Sequence, residues 1–313
     1  MSAAVSVVIV SWNVRDLLRS CLTSLAAQRD ALSLQVIVVD SASGDGTAEM
    51  VAAEFPWVEL VACPENIGFP AGNNLGFALA THPYLFLLNP DTEVAGDAID
   101  TLVAFLEANR DVGVVGPQLL NADGSVQSSR RRFPTLATGF FESTWLEAVA
   151  PRRVLDDYTM RDRGDDQQSD VDWLMGAALM ARREVVDQVG GLDPGYFMYS
   201  EELDWCRRIR DAGWRIVYVP EAQIVHHAGK SSEQAVTARH INFQRAKLRY
   251  FRKYHGRLAA TLLRLFLLAS YLAQIGLEGA KGIVGHKRAL RWQRVASYWE
   301  VVQSGLPPAD GKP

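Results

Sequence analysis

The 313-residue chain is long enough for one large or two modest domains, and its 48% apolar and 22% charged residues exclude a disordered or fibrous protein. Three scattered cysteines, Cys21, Cys63 and Cys206, exclude a disulfide scaffold and any C-x-x-C motif, so a reducing compartment is expected. The net charge of −4 conceals an asymmetry, with 14 Lys and Arg against 3 Asp and Glu from Ala238 onward and 18 against 33 before it. An acidic body with a basic end points to an anionic surface on one side, and no nucleic-acid partner is expected.

The opening stretch MSAAVSVVIVSWN has neither a basic n-region nor a long h-region, so a secretory leader is not expected and the protein is placed facing the cytoplasm. VSVVIV (5–10) is a β-branched run followed by a polar turn and an amphipathic stretch to about residue 27. LQVIVVD (34–40) is a second strand ended by SASGDGT, with a helix from Thr47 to Glu54. WVELVA (57–62) is a third, and the loop PENIGFPAGNN leads into a helix ending near Ala80. YLFLLN (84–89), the helix AIDTLVAFLEAN (98–109) and VGVVGPQLL (112–120) follow. Strands apolar on both faces, alternating with helices, predict a mostly parallel sheet covered on both sides.

Residues 121–170 are less regular, and the acids of LDDYTMRDRGDDQQSDVD (155–172) predict an exposed, mobile loop. DWLMGAALMARREVVDQVG (172–190) reads as an apolar segment and a helix, SEELDWCRRIRDAG (200–213) as a helix, and 214–220 and 222–227 as two strands. A basic helix from Thr237 to Gly256 precedes LAATLLRLFLLASYLAQIGL (258–277), which contains one charge, Arg264. The expected division is a domain over 1–235, with halves of 1–120 and 121–235, and a basic helical tail over 236–313. The 258–277 segment is near spanning length, but a central Arg costs about 2.5–3.5 kcal/mol on insertion scales. Basic flanks fit an in-plane amphipathic anchor on an anionic leaflet, with a core helix or a homodimer contact as alternatives.

In such sheets ligands bind at the carboxyl ends of the strands, where SWN, DSASGD and NPD all fall. Neither G-x-G-x-x-G nor G-x-x-x-x-G-K-[ST] is present, which argues against a dehydrogenase or a P-loop enzyme. Asp40 ends the second strand and can accept a hydrogen bond from a pyrimidine ring N–H; Asp45 can contact a ribose or cap the next helix. Glu201, Glu202 and Asp204 crowd three acids into four residues; a helix dipole accounts for one, and mutual repulsion suits the others to base chemistry. His226 and His227 end a strand and point to opposite faces, so only one can face a site. Gly229, Lys230 and Ser231 offer N–H groups and a cation for a phosphate, and Arg130, Arg131 and Arg132 form a second positive cluster.

Taken together in order, SVVIVSWN, VIVVDSASGDGT, ENIGFPAGNNLGF, FLLNPDT, WLMGAALMARREVVDQVGGLDPGYFMYSEELDWCRR and VPEAQIVHHAGKSS resemble family 2 glycosyltransferases, over residues 5–232. The rhamnosyltransferase-like branch is most similar. The resemblance implies a GT-A type α/β fold, Rossmann-like with a mixed, mostly parallel sheet, here with the C-terminal basic amphipathic helical extension. It also implies a nucleotide-diphosphate-sugar donor, Mg²⁺ or Mn²⁺, and inversion at the anomeric carbon. The expected donor is dTDP-rhamnose, with a UDP-sugar as the alternative. The expected acceptor is a glycan or polyprenyl-linked saccharide in cell-surface polysaccharide assembly, which places the enzyme peripherally on the inner face of the membrane.

Carried across, Ser11, Asn13, Asp40 and Asp45 fall where the family meets the base and ribose. Asn66, Gly72 and Asn73 fall in the loop bordering the donor. Asp91 falls at the metal-binding last acid of D-x-D. Glu202, preceded by Glu201, falls at the base, and His226 where a C-terminal histidine completes the metal or diphosphate site. The sequence departs from the family at Asn89, which replaces the first acid of D-x-D, and at Glu202, where Asp is more usual. A sugar-nucleotide pyrophosphorylase would need a Gly-rich signature with Arg-x-x-Pro after the first strand, which SWNVRDLL lacks. A catalytically silent scaffold of the same fold is the remaining alternative.

Overall fold

A computed structural model of the chain describes residues 4–29, 32–227, 236–285 and 287–311. The first half alternates strand and helix: β1 (Ala4–Ser11), α1 (Arg15–Ala26), β2 (Ser33–Asp40), α2 (Thr47–Glu54), β3 (Glu59–Ala62), α3 (Phe69–Leu79), β4 (Tyr84–Leu88), β5 (Thr92–Val94), α4 (Ala98–Ala108) and β6 (Val112–Leu120). Then come β7 (Val126–Gln127), β8 (Arg130–Arg131), α5 (Leu136–Phe141), α6 (Arg152–Tyr158), β9 (Ser169–Asp170), β10 (Trp173–Leu174), β11 (Ala178–Arg182), α7 (Arg183–Val189), α8 (Glu201–Asp211) and β12 (Arg215–His226). The C-terminal helices are α9 (Val236–Tyr254), α10 (Gly256–Ile283) and α11 (Arg288–Gln303).

The chain forms two compact units. One comprises Met1–Phe133, Thr159–Pro194 and Glu201–Ser231; the other comprises Pro134–Tyr158, Gly195–Ser200 and Ser232–Pro313. The segments 134–158 and 195–200 thus group with the C-terminal helices.

In the first unit the sheet runs β3-β2-β1-β4-β11-β6-β12-β5. The pairs β1–β2, β1–β4, β2–β3 and β6–β12 are parallel, while β11 is antiparallel to both β4 and β6. The expected apolar segment before α7 is therefore the strand that joins the two parallel halves. Alternation within β1 sends Val5, Val7 and Ile9 into one core and Val8 and Val10 into the other, which is why this run shows no polar face. The two strands expected at 214–227 are one strand, β12, whose register shifts between Val219 and Gln223. Pro220 falls in that irregularity, where a missing N–H breaks no ladder bond.

The acidic stretch expected as an exposed, mobile loop is exposed over 161–168 but anchored by ion pairs. Asp162 pairs with Arg132, Asp165 with the buried Arg130, and Asp170 with Arg215. In the second unit, one face of α10 is buried through Ala260, Leu263, Leu267, Ser270 and Tyr271. Arg264 on that helix donates from Nε to the Gly305 carbonyl at 2.6 Å. α10 is the one helix among the described residues long and apolar enough to cross a membrane, a test that core helices also pass.

Candidate active site

Strand order reverses between β1 and β4: β2 and β3 are added on one side of β1, then the chain returns to place β4 on the other. Crevices at such points, beyond the carboxyl ends of the strands, are where open α/β sheets bind ligands. Ser11 and Asp40 end β1 and β2 as register partners, and both are buried. Asp40 Oδ2 accepts from the Ser43 N–H, but its Oδ1 and the Ser11 hydroxyl have no partner. The loops after both strands contain non-glycine residues in the left-handed region, Asn13 (φ 53°) and Ala42 (φ 60°). They are joined by hydrogen bonds from Gly44 N–H to Asn13 Oδ1 and from Asn13 N–H to Ser43 Oγ.

After β4 the chain turns at Asn89-Pro90-Asp91. The buried Asp91 carboxylate lies 3.4 Å, Oδ1 to Nε2, from His226 at the end of β12. The other imidazole nitrogen, Nδ1, is 2.6 Å from Gln127 Oε1, and the Gln127 Nε2 donates to Asn121 Oδ1. That second bond fixes which end of the Gln127 amide is the acceptor, so His226 donates from Nδ1 to Gln127 Oε1 and turns Nε2 toward Asp91. His227 points the other way, to Glu93 at 2.7 Å, which resolves which histidine accompanies Asp91. No group of three or more His, Cys, Asp or Glu side chains capable of holding a metal occurs among the described residues. Asp91 and His226 are a carboxylate and an imidazole side by side, two groups that would hold a divalent cation together with oxygens from a bound diphosphate.

Helix α8 opens with Glu201 and Glu202, just after Tyr199 (φ 72°) and Ser200 (φ 62°), both left-handed. Glu201 is buried, and the Oε2 atoms of both glutamates are occluded without a partner. Burial, then repulsion from Glu202, holds the Glu201 carboxyl well above the ordinary range. Burial also raises Glu202, opposed by backbone N–H groups including that of Gly176. Two buried carboxyls side by side resist carrying two charges at once. The third acid, Asp204, is a structural residue: it pairs with Arg208, which also donates to the carbonyls of Val189 and Gly191.

Against known proteins, the family model described as "Glycosyltransferase like family 2" matches residues 3–242. The chain belongs to this family. It is similar to the N-acetylglucosaminyl-diphospho-decaprenol L-rhamnosyltransferase of Mycobacterium tuberculosis, 31% identical over 74% of this chain and 78% of that one. Rhamnosyltransferase WbbL of Escherichia coli K12 is 26% identical, over 72% and 83%. The fold is shared with a Pyrobaculum calidifontis mannosyltransferase solved with GDP-Man and Mn²⁺, at a TM-score of 0.56 and 18% identity, covering 97% of this chain and 87% of that one. The fold is GT-A type and the enzyme is a glycosyltransferase.

Several residues expected at this glycosyltransferase's site have other employment. Gly72 and Asn73 are not in a loop: the loop ends at Gly68 and both lie in α3. A Cβ on Gly72 would come within 2.9 Å of Val10, so close packing of α3 on β1 accounts for this glycine. Asn73 Oδ1 is buried and unpartnered, while exposed Asn66 accepts from Ser41 Oγ and Gly68 N–H and so shapes the loop. The Asp45 carboxylate accepts from the N–H groups of Arg15 and Thr47, the capping role open to it. Burial opposes its ionisation, but these bonds and the Thr47 hydroxyl outweigh it and hold the carboxyl below the usual range. Asn89 is linked through its N–H to Ala177, with a buried, unpartnered Oδ1. The arginine cluster is consumed internally: Arg130 donates to the carbonyls of Arg163 and Gly164. Lys230 lies outside the described residues. Gln127 and Gly176 were missed, because a glutamine in VQSS and a glycine in LMGAA carry no pattern of their own.

Proposed function

We propose that this glycosyltransferase moves L-rhamnose from dTDP-L-rhamnose to a hydroxyl of a polyprenyl-diphosphate-linked saccharide, with inversion at the anomeric carbon. The observation that carries the reading is the set of buried polar atoms without partners on Ser11, Asp40, Asn73, Asn89, Glu201 and Glu202. Native proteins leave few such groups, and these six of the fourteen such atoms among the described residues fall on residues expected to meet a nucleotide sugar and its acceptor. The donor sugar and acceptor class follow the names of the mycobacterial and E. coli relatives.

In this reading Asp40 accepts from the pyrimidine ring N–H, and Ser11, Asn13 and Asp45 border the base and ribose. Asn66, Asn73 and Asn89 line the donor, Gly72 lets α3 pack close on β1 behind them, and Lys230 meets the diphosphate. Asp91 and His226 hold a divalent cation; carboxylate plus imidazole favours Mn²⁺ over the strictly oxygen-seeking Mg²⁺. When bound, the cation offsets the charge that develops on the leaving diphosphate. Glu202 accepts the acceptor hydroxyl's proton as that oxygen bonds to the anomeric carbon and the bond to the diphosphate breaks on the opposite face. Glu201 stays neutral beside it, which limits charge repulsion within the pair.

The second unit docks on the cytoplasmic leaflet. Leu258, Leu262, Leu265 and Leu272 form an exposed stripe on α10, and Arg252, Lys253, Arg257, Lys281, Lys287 and Arg288 are exposed around its ends. Apolar insertion flanked by cations suits an anionic bilayer carrying the lipid-linked acceptor. Incubating full-length enzyme with Mn²⁺, dTDP-L-rhamnose and polyprenyl-diphospho-N-acetylglucosamine should yield rhamnosylated lipid by mass spectrometry. Transfer from UDP-sugars but not from dTDP-L-rhamnose would overturn the donor assignment. Flotation with anionic vesicles should be lost in Leu262→Glu/Leu265→Glu; failure of the wild-type protein to float would overturn the docking assignment.

A further inference from the structure

The second unit contains a solvent-open depression of about 280 Å³ that none of the roles above uses. Its walls are the rings of Trp145, Tyr271, Tyr298 and His240. The rings pack as a cluster, with Tyr271 and Tyr298 centroids 5.6 Å apart and His240 edge-on to both. Ser143, Thr144 and the Gln274 amide complete the lining, so no acid, lysine or arginine faces the space. Burial and neighbouring Arg239 lower His240, which keeps its ring neutral near pH 7.

Part of this polar complement is already engaged. The Thr144 hydroxyl donates to the Phe140 carbonyl, and the Trp145 indole donates to Ser270 Oγ. The Gln274 amide and the Tyr298 hydroxyl make no hydrogen bond among the described residues, so three donor hydrogens and two acceptor oxygens remain for an occupant. Ser143, at the foot of the Trp145 turn, holds a left-handed backbone (φ 58°), a conformation that costs a non-glycine residue energy and is commonest at binding sites.

A wall without a cationic side chain offers no counter-charge to a phosphate. Aromatic faces beside an amide and hydroxyls match a molecule with one apolar C–H face and a polar rim. The volume lies near the lower end of small-molecule sites, roughly 300–1,000 Å³, and fits one ring rather than a lipid chain. We propose that this depression is a second saccharide site, separate from the donor site, that binds one neutral pyranose unit of the acceptor glycan through the Trp145 and Tyr298 rings and the Gln274 amide. It rests on the reading above only in taking the sugar to be part of the acceptor.

Saturation-transfer NMR on the protein tests this, using methyl α-L-rhamnopyranoside and N-acetylglucosamine as probes, with dTDP and diamagnetic Mg²⁺ saturating the donor site. At least one probe should give ring-proton signals that persist with the donor site filled. Trp145→Ala and Gln274→Leu, both at partly exposed positions, should weaken that binding by about tenfold or more while leaving the melting temperature and dTDP binding unchanged. No signal with wild-type protein, or full signal in both variants, overturns the proposal. Loss of sugar binding in these variants, in a protein that transfers no rhamnose, would retain the saccharide site and reject the donor assignment alone.

Discussion

Gln127 Oε1 sits 2.6 Å from Nδ1 of His226, and the far nitrogen of that imidazole faces the Asp91 carboxylate. A glutamine on a two-residue strand thereby orients the ring of a histidine 99 positions away. Partners of this kind orient a metal-binding imidazole, and their loss typically costs roughly 10–100-fold in metal affinity or activity. Gln127→Leu should weaken the Mn²⁺ dependence of transfer by that factor while leaving dTDP affinity measured without metal intact. An unchanged Mn²⁺ titration would show that His226 is held without Gln127.

In the proposed site, Asp91 and His226 are the two ligands found among the described residues, too few to bind a cation firmly alone. Mn²⁺ should raise the melting temperature little by itself and considerably more with dTDP, because stabilisation grows as RT ln(1 + [L]/Kd) and the diphosphate supplies the missing oxygens. Asp91→Asn should remove the extra shift. Equal shifts with and without nucleotide would argue for a complete protein-borne site.

Glu202→Gln should lower kcat by about 10²–10⁴-fold, the usual contribution of a positioned base, with donor KM close to wild type. Burial raises the Glu202 carboxyl, and only its ionised form accepts a proton. Wild-type kcat should therefore rise with pH along a limb lying above the usual glutamate range. Near-normal turnover in the variant would move the base elsewhere.

Glu201 makes a separate prediction about stability. Its folded carboxyl is raised well above 4.5, so the native state holds a proton that the unfolded chain gives up. Its contribution to stability is present in full below the unfolded value and is lost as pH rises through the folded one. Glu201→Gln keeps the neutral shape and cannot ionise, so its advantage in melting temperature over wild type should grow from acid to pH 8. A difference that stays constant with pH would mean the residue is not protonated in the folded state.

The strands were legible because burial on both faces leaves a continuous apolar run, as in β1, β2 and β4, and the acids after them stood out as breaks in those runs. Partnerships were not legible. Gln127 meets His226, and Arg208 ties Asp204 to the 189–191 loop, through contacts that no periodicity encodes. The Arg130 cluster read as an anion site because its counter-charge, Asp165, is 35 residues away. Gly72 read as a donor-loop glycine because the residue it touches, Val10, lies on another element.

The same blindness applies to Gly76, one helical turn beyond Gly72 on the face of α3 that packs against β1. By propensity alone, alanine in a helix interior is better than glycine by about 1 kcal/mol. Here an added Cβ would overlap Val8 Cγ1, which lies in a fully buried strand, and would sit 3.1 Å from Cγ2. Overpacking of this kind costs about 1–3 kcal/mol, so the clash outweighs the propensity gain. Gly76→Ala should lower stability in a urea titration, and the Asn66–Gly68 loop at the start of the displaced helix should lose affinity for the donor with it. Combining Gly76→Ala with Val8→Ala removes the methyl groups that clash, so the double variant should lose less stability than the two single variants summed. Strict additivity would place the strain somewhere other than the α3–β1 contact.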